Sequence, residues 1–188
     1  MDNAQDDFEE FVITLKDENA IHNLIRGTYV DREPLCLGLH MTFEEFLPYM
    51  KKSLTPTFES EVSIGVRDSA SGRLVAFMLN RVLVPEGDLE IFGEGGLETE
   101  KSNKYSKVLH DLCAGVDILK NGRFNKQLEL QCLCVHPNYG NKGLGMKLVR
   151  LSEEKGKGPW LRRGHHPSGE RHHRPHSQED GIHDGPSN

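Results

Sequence analysis

Apolar residues recur with regular periods as far as Leu151 and become scarce afterwards. Phe11 to Leu15 reads as a first strand, and Ile21, Leu24, Ile25 and Tyr29 then share one helical face. Asp31-Arg32-Glu33-Pro34 interrupts that helix, because the ring of Pro34 disfavours helical geometry at the residue before it. A second helix is predicted from Thr42. Its apolar face is Phe43, Phe46, Leu47, Met50 and Leu54, and Thr42 and Glu45 have the spacing of a capping box. Val62, Ile64 and Val66 alternate as in a half-buried strand. Asp68-Ser69-Ala70-Ser71-Gly72 is a turn, and Leu74 to Val84 is a nearly continuous apolar run, as in a strand covered on both faces. A polar loop containing Gly93-Glu94-Gly95-Gly96 follows. Tyr105, Val108, Leu109, Leu112, Val116 and Leu119 make a helical stripe that Asn121-Gly122 ends. Leu128 to Val135 is a strand, and Leu144, Leu148 and Leu151 lie on one face of a last helix.

This order (strand, two helices, two strands, helix, strand, glycine loop, helix) predicts one α/β domain without internal repeats. The apolar pattern spans roughly 150 residues, enough for an ordinary soluble core. Taken whole, the 188-residue chain is polar, with 36% hydrophobic residues. The formal net charge of -6 leaves no electrostatic footprint for nucleic acid or an anionic membrane. Among the four cysteines, Cys36, Cys113, Cys132 and Cys134, there is no CxxC pair, so they read as buried thiols of a reducing compartment. The acidic N-terminus does not read as a signal peptide, and no apolar run is long enough to span a bilayer; the cytoplasm is the expected location. The oligomeric state stays open.

The segment from Leu133 to Met146 carries the most chemistry. A strand runs into a short loop with Gly140, Gly143 and Gly145, and a helix follows directly. Glycines permit positive φ and close backbone approach. Several N–H groups can then converge on an anion at the helix N-terminus, which suits a phosphate or diphosphate. The GxxxxGK[S/T] pattern of a P-loop is absent. A Rossmann fingerprint would open the first βα unit and carry a third glycine. Val135, Pro137, Tyr139, Lys142, Gly143, Leu144 and Gly145 resemble instead the central motif of the GNAT superfamily of N-acetyltransferases, V-x-P-x-Y-R-G-K-G-I-G.

The resemblance covers about residues 9 to 155. It implies an α/β GNAT fold: a mixed, twisted sheet flanked by helices. It also implies acetyl-CoA as co-substrate and a primary amine as acceptor. Gly140, Asn141, Lys142, Gly143, Leu144, Gly145 and Met146 would cradle the diphosphate. Backbone groups at Leu133, Cys134 and Val135 would hold the pantetheine arm, where the strand splays from a parallel neighbour. Gly140 departs from the motif, since the family has Arg or Gln there, and Asn141 stands where it often has Gly. Backbone contacts dominate in the family, so binding is expected to survive but weaken.

A narrower segment, Asp31-Arg32-Glu33-Pro34-Leu35 followed by Leu37-Gly38-Leu39, resembles the D-E-P-L region of the invertebrate arylalkylamine N-acetyltransferases, with an arginine intervening. That resemblance implies an arylalkylamine-like substrate and makes Glu33 the general base. The chemistry agrees, because an ammonium must lose its proton before it attacks a thioester, and a carboxylate can take it. An oxyanion donor is expected near Val135. Glu33 has a plainer alternative as a helix cap or a partner of Arg32. His40 and His136 are further candidate bases, and Glu94 to Glu100 reads as a solvated loop. A non-catalytic CoA-binding or interaction protein derived from such an enzyme is the alternative function.

From residue 156 the pattern stops, and six of the ten histidines fall in this tail. Their spacing matches no zinc site, so no metal is expected. One account is a disordered tail. The other is a frameshift near Gly158: codon degeneracy permits a shifted reading that continues the helix and restores a late GNAT motif. On that account residues 1–155 form an incomplete domain with a raw sheet edge, poor stability and little turnover.

Overall fold

The computed structural model describes residues 7–58, 60–84, 96–113 and 126–158. Four strands, β1 (Phe8–Val12), β2 (Ile64–Asp68), β3 (Leu74–Leu83) and β4 (Gln127–Val135), form one antiparallel sheet in the order β1-β2-β3-β4. The helices are α1 (Glu18–Leu24), α2 (Pro34–Gly38), α3 (Phe43–Ser53), α4 (Glu100–Cys113) and α5 (Leu144–Gly156). A parallel neighbour for β4 is not among the described residues.

β3 is the spine. Val75 to Arg81 are all buried, which accounts for its unbroken apolar run. Phe77 and Leu79 face a cluster with Ile21, Phe46, Met50 and Cys132. Ala76 and Met78 face a second cluster with Leu144 and Leu148 of α5. The sheet is thus covered by α1 to α4 on one face and by α5 on the other. At the turn into β3, the Asp68 carboxylate accepts the Ser71 N–H at 2.7 Å, and Gly72 supplies φ +67.

Several elements differ from the sequence expectation. β1 begins and ends three residues earlier than Phe11 to Leu15. Its register is fixed across the pair Phe11↔Gly65, where the Phe11 ring fills the space a side chain on Gly65 would need, and Arg67 stacks on the ring at 3.8 Å. Thr14 then leaves the strand, its N–H donating to Asp17 Oδ2 at 3.1 Å. The helix predicted through Tyr29 ends as a π-turn over Ile25–Tyr29, with Val30 N–H reaching Ile25 O at 3.4 Å. α2 was hidden between Pro34 and Thr42; Pro34 occupies its first turn, where its missing N–H costs nothing. β4 contains a bulge opposite Leu79/Asn80, with Gln131 as the extra residue. The capping box of α3 is present in both directions: Thr42 N–H to Glu45 Oε2 at 2.9 Å, and Glu45 N–H to Thr42 Oγ1 at 3.2 Å. Val116, Leu119, the Asn121-Gly122 stop, Gly93 to Gly95 and the tail beyond residue 158 lie outside the described residues.

Candidate functional site

The glycine loop leaves β4 through a short 3₁₀ turn. His136 N–H closes the sheet pairing on Val75 O at 2.8 Å, Tyr139 N–H donates to His136 O, and Gly140 N–H to Pro137 O at 3.0 Å. The chain then turns by two left-handed residues, Asn141 at φ +59 and Gly143 at φ +76. Glycine adopts this region freely, and asparagine tolerates it better than most residues. The first helical bond of α5 is Lys147 N–H to Gly143 O. From Asn141 to Met146, no main-chain N–H donates to any acceptor among the described residues. These are the orphan donors every helix start leaves, extended backward by the loop.

The loop is held from two sides. Leu144 is buried against the sheet, and a Cβ on Gly145 would lie 3.6 Å from Leu133 Cδ2 and 3.9 Å from Val135 Cγ2. The first turn of α5 thus sits on the end of β4. Tyr139 meets Phe8 edge to face at 6.1 Å, and Lys142 Nζ lies over both rings. Lys147 pairs with Glu10. Beside the loop, Leu133 and Met146 stay exposed.

Glu33 lies on the other face of the sheet. The carbonyl of Tyr29 accepts both Arg32 N–H at 3.0 Å and Glu33 N–H at 2.8 Å. That double contact turns the chain into α2, where the half-buried Glu33 is the N-cap and its Oε2 accepts Cys36 N–H at 2.6 Å. The plainer expectation, a helix cap, is therefore realised, on α2 rather than on α3. Around this carboxylate lie Cys36, Tyr29, Tyr105 and Cys132, whose acidities its charge influences. The hydroxyls of Tyr29 and Tyr105 are 3.4 Å apart. Burial is the first cause that raises the pKa of both tyrosines and of both thiols. Cys36, Cys132 and Cys134 are buried thiols, as the sequence indicated, and the side chain of Cys113 lies outside what is described.

Glu33 and the loop converge on β4. Cys132 and Cys134 point to the Glu33 side, whereas Leu133 and Val135 meet the first turn of α5. The two histidines serve structure. His136 Nδ1 accepts Asn138 N–H at 3.2 Å, and His40 is an exposed turn residue at φ +47 whose carbonyl accepts Lys101 Nζ. Glu100 opens α4 and pairs with Lys104. Tyr29 and Tyr105 read in the sequence only as stripe residues. A buried tyrosine hydroxyl needs a polar partner, and that was the available signal. Among the described residues no cluster of potential metal ligands occurs, and no helix is long and apolar enough to cross a membrane.

No family model and no curated protein matches the chain. Solved structures do. Arylalkylamine N-acetyltransferase 2 from Aedes aegypti is 24% identical at a TM-score of 0.70, over 80% of this chain and 70% of that one. An agmatine N-acetyltransferase is 20% identical at 0.66, over the same shares. A Drosophila melanogaster polyamine N-acetyltransferase, which forms N-acetylagmatine, is 18% identical at 0.64, again over 80% and 70%. At these identities the likeness is one of backbone. It agrees with the glycine loop and the order of elements, and the chain has the GNAT fold, the fold of these N-acetyltransferases.

Proposed function

We propose that the chain binds acetyl-CoA along β4 and the glycine loop and transfers the acetyl group to a primary amine, with Glu33 as general base. The observation that carries this reading is the run of unspent amides from Asn141 to Met146 at the N-terminus of α5. An anion there gains several hydrogen bonds and the helix dipole, each charge-assisted bond contributing about 1.5–3 kcal/mol. The main chain of Leu133 to Val135 on β4 would hold the pantetheine arm, since no strand among the described residues pairs with its outer edge.

The thioester supplies an activated acyl carbon. Glu33 takes one proton of the incoming ammonium, the amine nitrogen bonds to that carbon, the C–S bond breaks, and the leaving thiolate takes up the second proton that the nitrogen sheds as the amide forms. A main-chain N–H near Val135 steadies the carbonyl oxygen. The aromatic side chains of Tyr29, Phe46, Tyr49 and Tyr105 pack together on the Glu33 side, which supports an arylalkylamine-like acceptor.

A second reading, a non-catalytic CoA-binding protein derived from such an enzyme, is favoured by one contact: Glu33 already spends Oε2 on Cys36 N–H. Equilibrium dialysis with acetyl-CoA beside an amine turnover assay separates the two. Binding with turnover supports the enzyme. Binding without turnover supports the second reading. Displacement by ATP or NAD as readily as by CoA contradicts both.

A further inference from the structure

Arg32 is the residue that interrupts the acidic segment before α2. Its backbone is fixed beside that of Glu33, since both N–H groups donate to the carbonyl of Tyr29. Its side chain is exposed and its guanidinium has no hydrogen bond or ion pair among the described residues. Other cations near the two halves of the site are engaged: Arg26 with Glu44, Arg81 with Glu129, Lys101 with Glu45 and Lys147 with Glu10. The Arg32 charge reaches β4. Burial pushes the Cys134 thiol up to about 12, and Arg32 is the charge that opposes the push. Cys134 lies between Leu133 and Val135, on the stretch of β4 proposed to hold the pantetheine arm.

Consecutive residues thus present a carboxylate and a guanidinium that is unpaired among the described residues at the same end of β4. We infer that Arg32 is a specificity-determining residue, and that the acceptor is an amine that also carries a carboxylate, such as an α-amino acid. The ammonium meets Glu33 and the carboxylate meets the planar fork of Arg32, a geometry that guanidinium groups match in pairs of hydrogen bonds. A polyamine would set its second cation against Arg32. This inference rests on the acetyl-transfer reading and narrows its substrate.

The test uses the full chain loaded with CoA, which has no acetyl group to transfer, and calorimetric titration at neutral pH with three amines of one skeleton: phenylalanine, phenylalaninamide and phenethylamine. Phenylalanine is expected to bind about three- to fivefold more tightly than the other two, the range for a partly exposed ion pair. Arg32→Gln is expected to erase that preference and Arg32→Lys to restore part of it, with unfolding midpoints unchanged because the exposed side chain makes no hydrogen bond or ion pair among the described residues. Equal or tighter binding of phenethylamine to the unaltered chain overturns the inference and leaves acetyl transfer standing. So does a preference that survives Arg32→Gln. Failure of all three amines to bind CoA-loaded protein overturns the amine reading itself, and this inference with it.

Discussion

Asn80 Nδ2 donates to Ser152 Oγ at 2.8 Å, and this bond joins the central strand to α5, the helix that follows the glycine loop. Both residues are fully buried, and Nδ2 also donates to Val62 O at 2.9 Å. Asn80 therefore fixes α5 against β3 from within a buried interface. Asn80→Leu leaves Ser152 and Val62 without their donor and is expected to cost about 1–3 kcal/mol. Ser152→Ala keeps the Val62 bond and is expected to cost about 0.5–1.5 kcal/mol. Urea unfolding of both variants measures the difference. Equal costs would show that the bond to α5 carries the whole effect, and a Ser152→Ala variant as stable as the unaltered chain would show that it is not the important one.

Gly143 and Gly140 make opposite demands. Gly143 sits at φ +76, so Gly143→Ala is expected to cost about 1–2 kcal/mol of stability and to weaken acetyl-CoA binding by distorting the loop. Gly140 is extended, at φ -61 and ψ 159, which any residue adopts. A Cβ there would lie 3.2 Å from Pro137 O, a tight contact to which that carbonyl must yield by a few tenths of an ångström. Gly140→Arg restores the motif's cation, and a gain of roughly fivefold or more in acetyl-CoA affinity is expected from one added charge-assisted contact. Calorimetry on the two variants checks both signs.

Glu33→Gln retains the oxygen that caps α2 and removes the base. On the proposed mechanism acetyl-CoA binding stays, while the rate of amine acetylation falls by about 10²–10⁴. Stopped-flow or thiol-release assays read the rate. A variant as fast as the unaltered chain would return Glu33 to a purely structural role.

Stability should depend on His22. Burial, its largest influence, lowers its pKa from 6.5, against the pull of Glu18, which lies 3.6 Å away. The unfolded chain therefore binds a proton at His22 before the folded chain does. Stability contributed here is complete above about pH 6.5 and declines as pH falls from there toward the lower folded value. Unfolding titrations between pH 7.5 and pH 5, compared with His22→Gln, are expected to show a shallower decline in the variant.

Local chemistry was readable wherever one short segment decides the structure. The Thr42–Glu45 box, the Asp68–Gly72 turn and the strand–glycine–helix passage at Val135 to Leu144 each carry their own hydrogen-bond logic within a few residues. The π-turn at Tyr29 was not readable, because it shares the apolar spacing of an ordinary helix until its last turn. The bulge at Gln131 was hidden because β4 reads as a plain run; only pairing with β3 shows that one residue is extra. The start of β1 depends on Phe11 finding the empty space over Gly65, far away in sequence. The glycine loop was legible for the same reason as the turns. The neighbourhood of Glu33 was not, since Tyr29, Cys36, Tyr105 and Cys132 come from four separate elements.

The amide resonances of Asn141 to Met146 test the central claim most directly. In a ¹⁵N-labelled chain titrated with acetyl-CoA, these N–H signals should move downfield as they take up the diphosphate, with smaller shifts at Leu133 and Val135. Saturable binding that leaves them in place, or no binding at all, would contradict the assignment of this loop as a coenzyme A cradle.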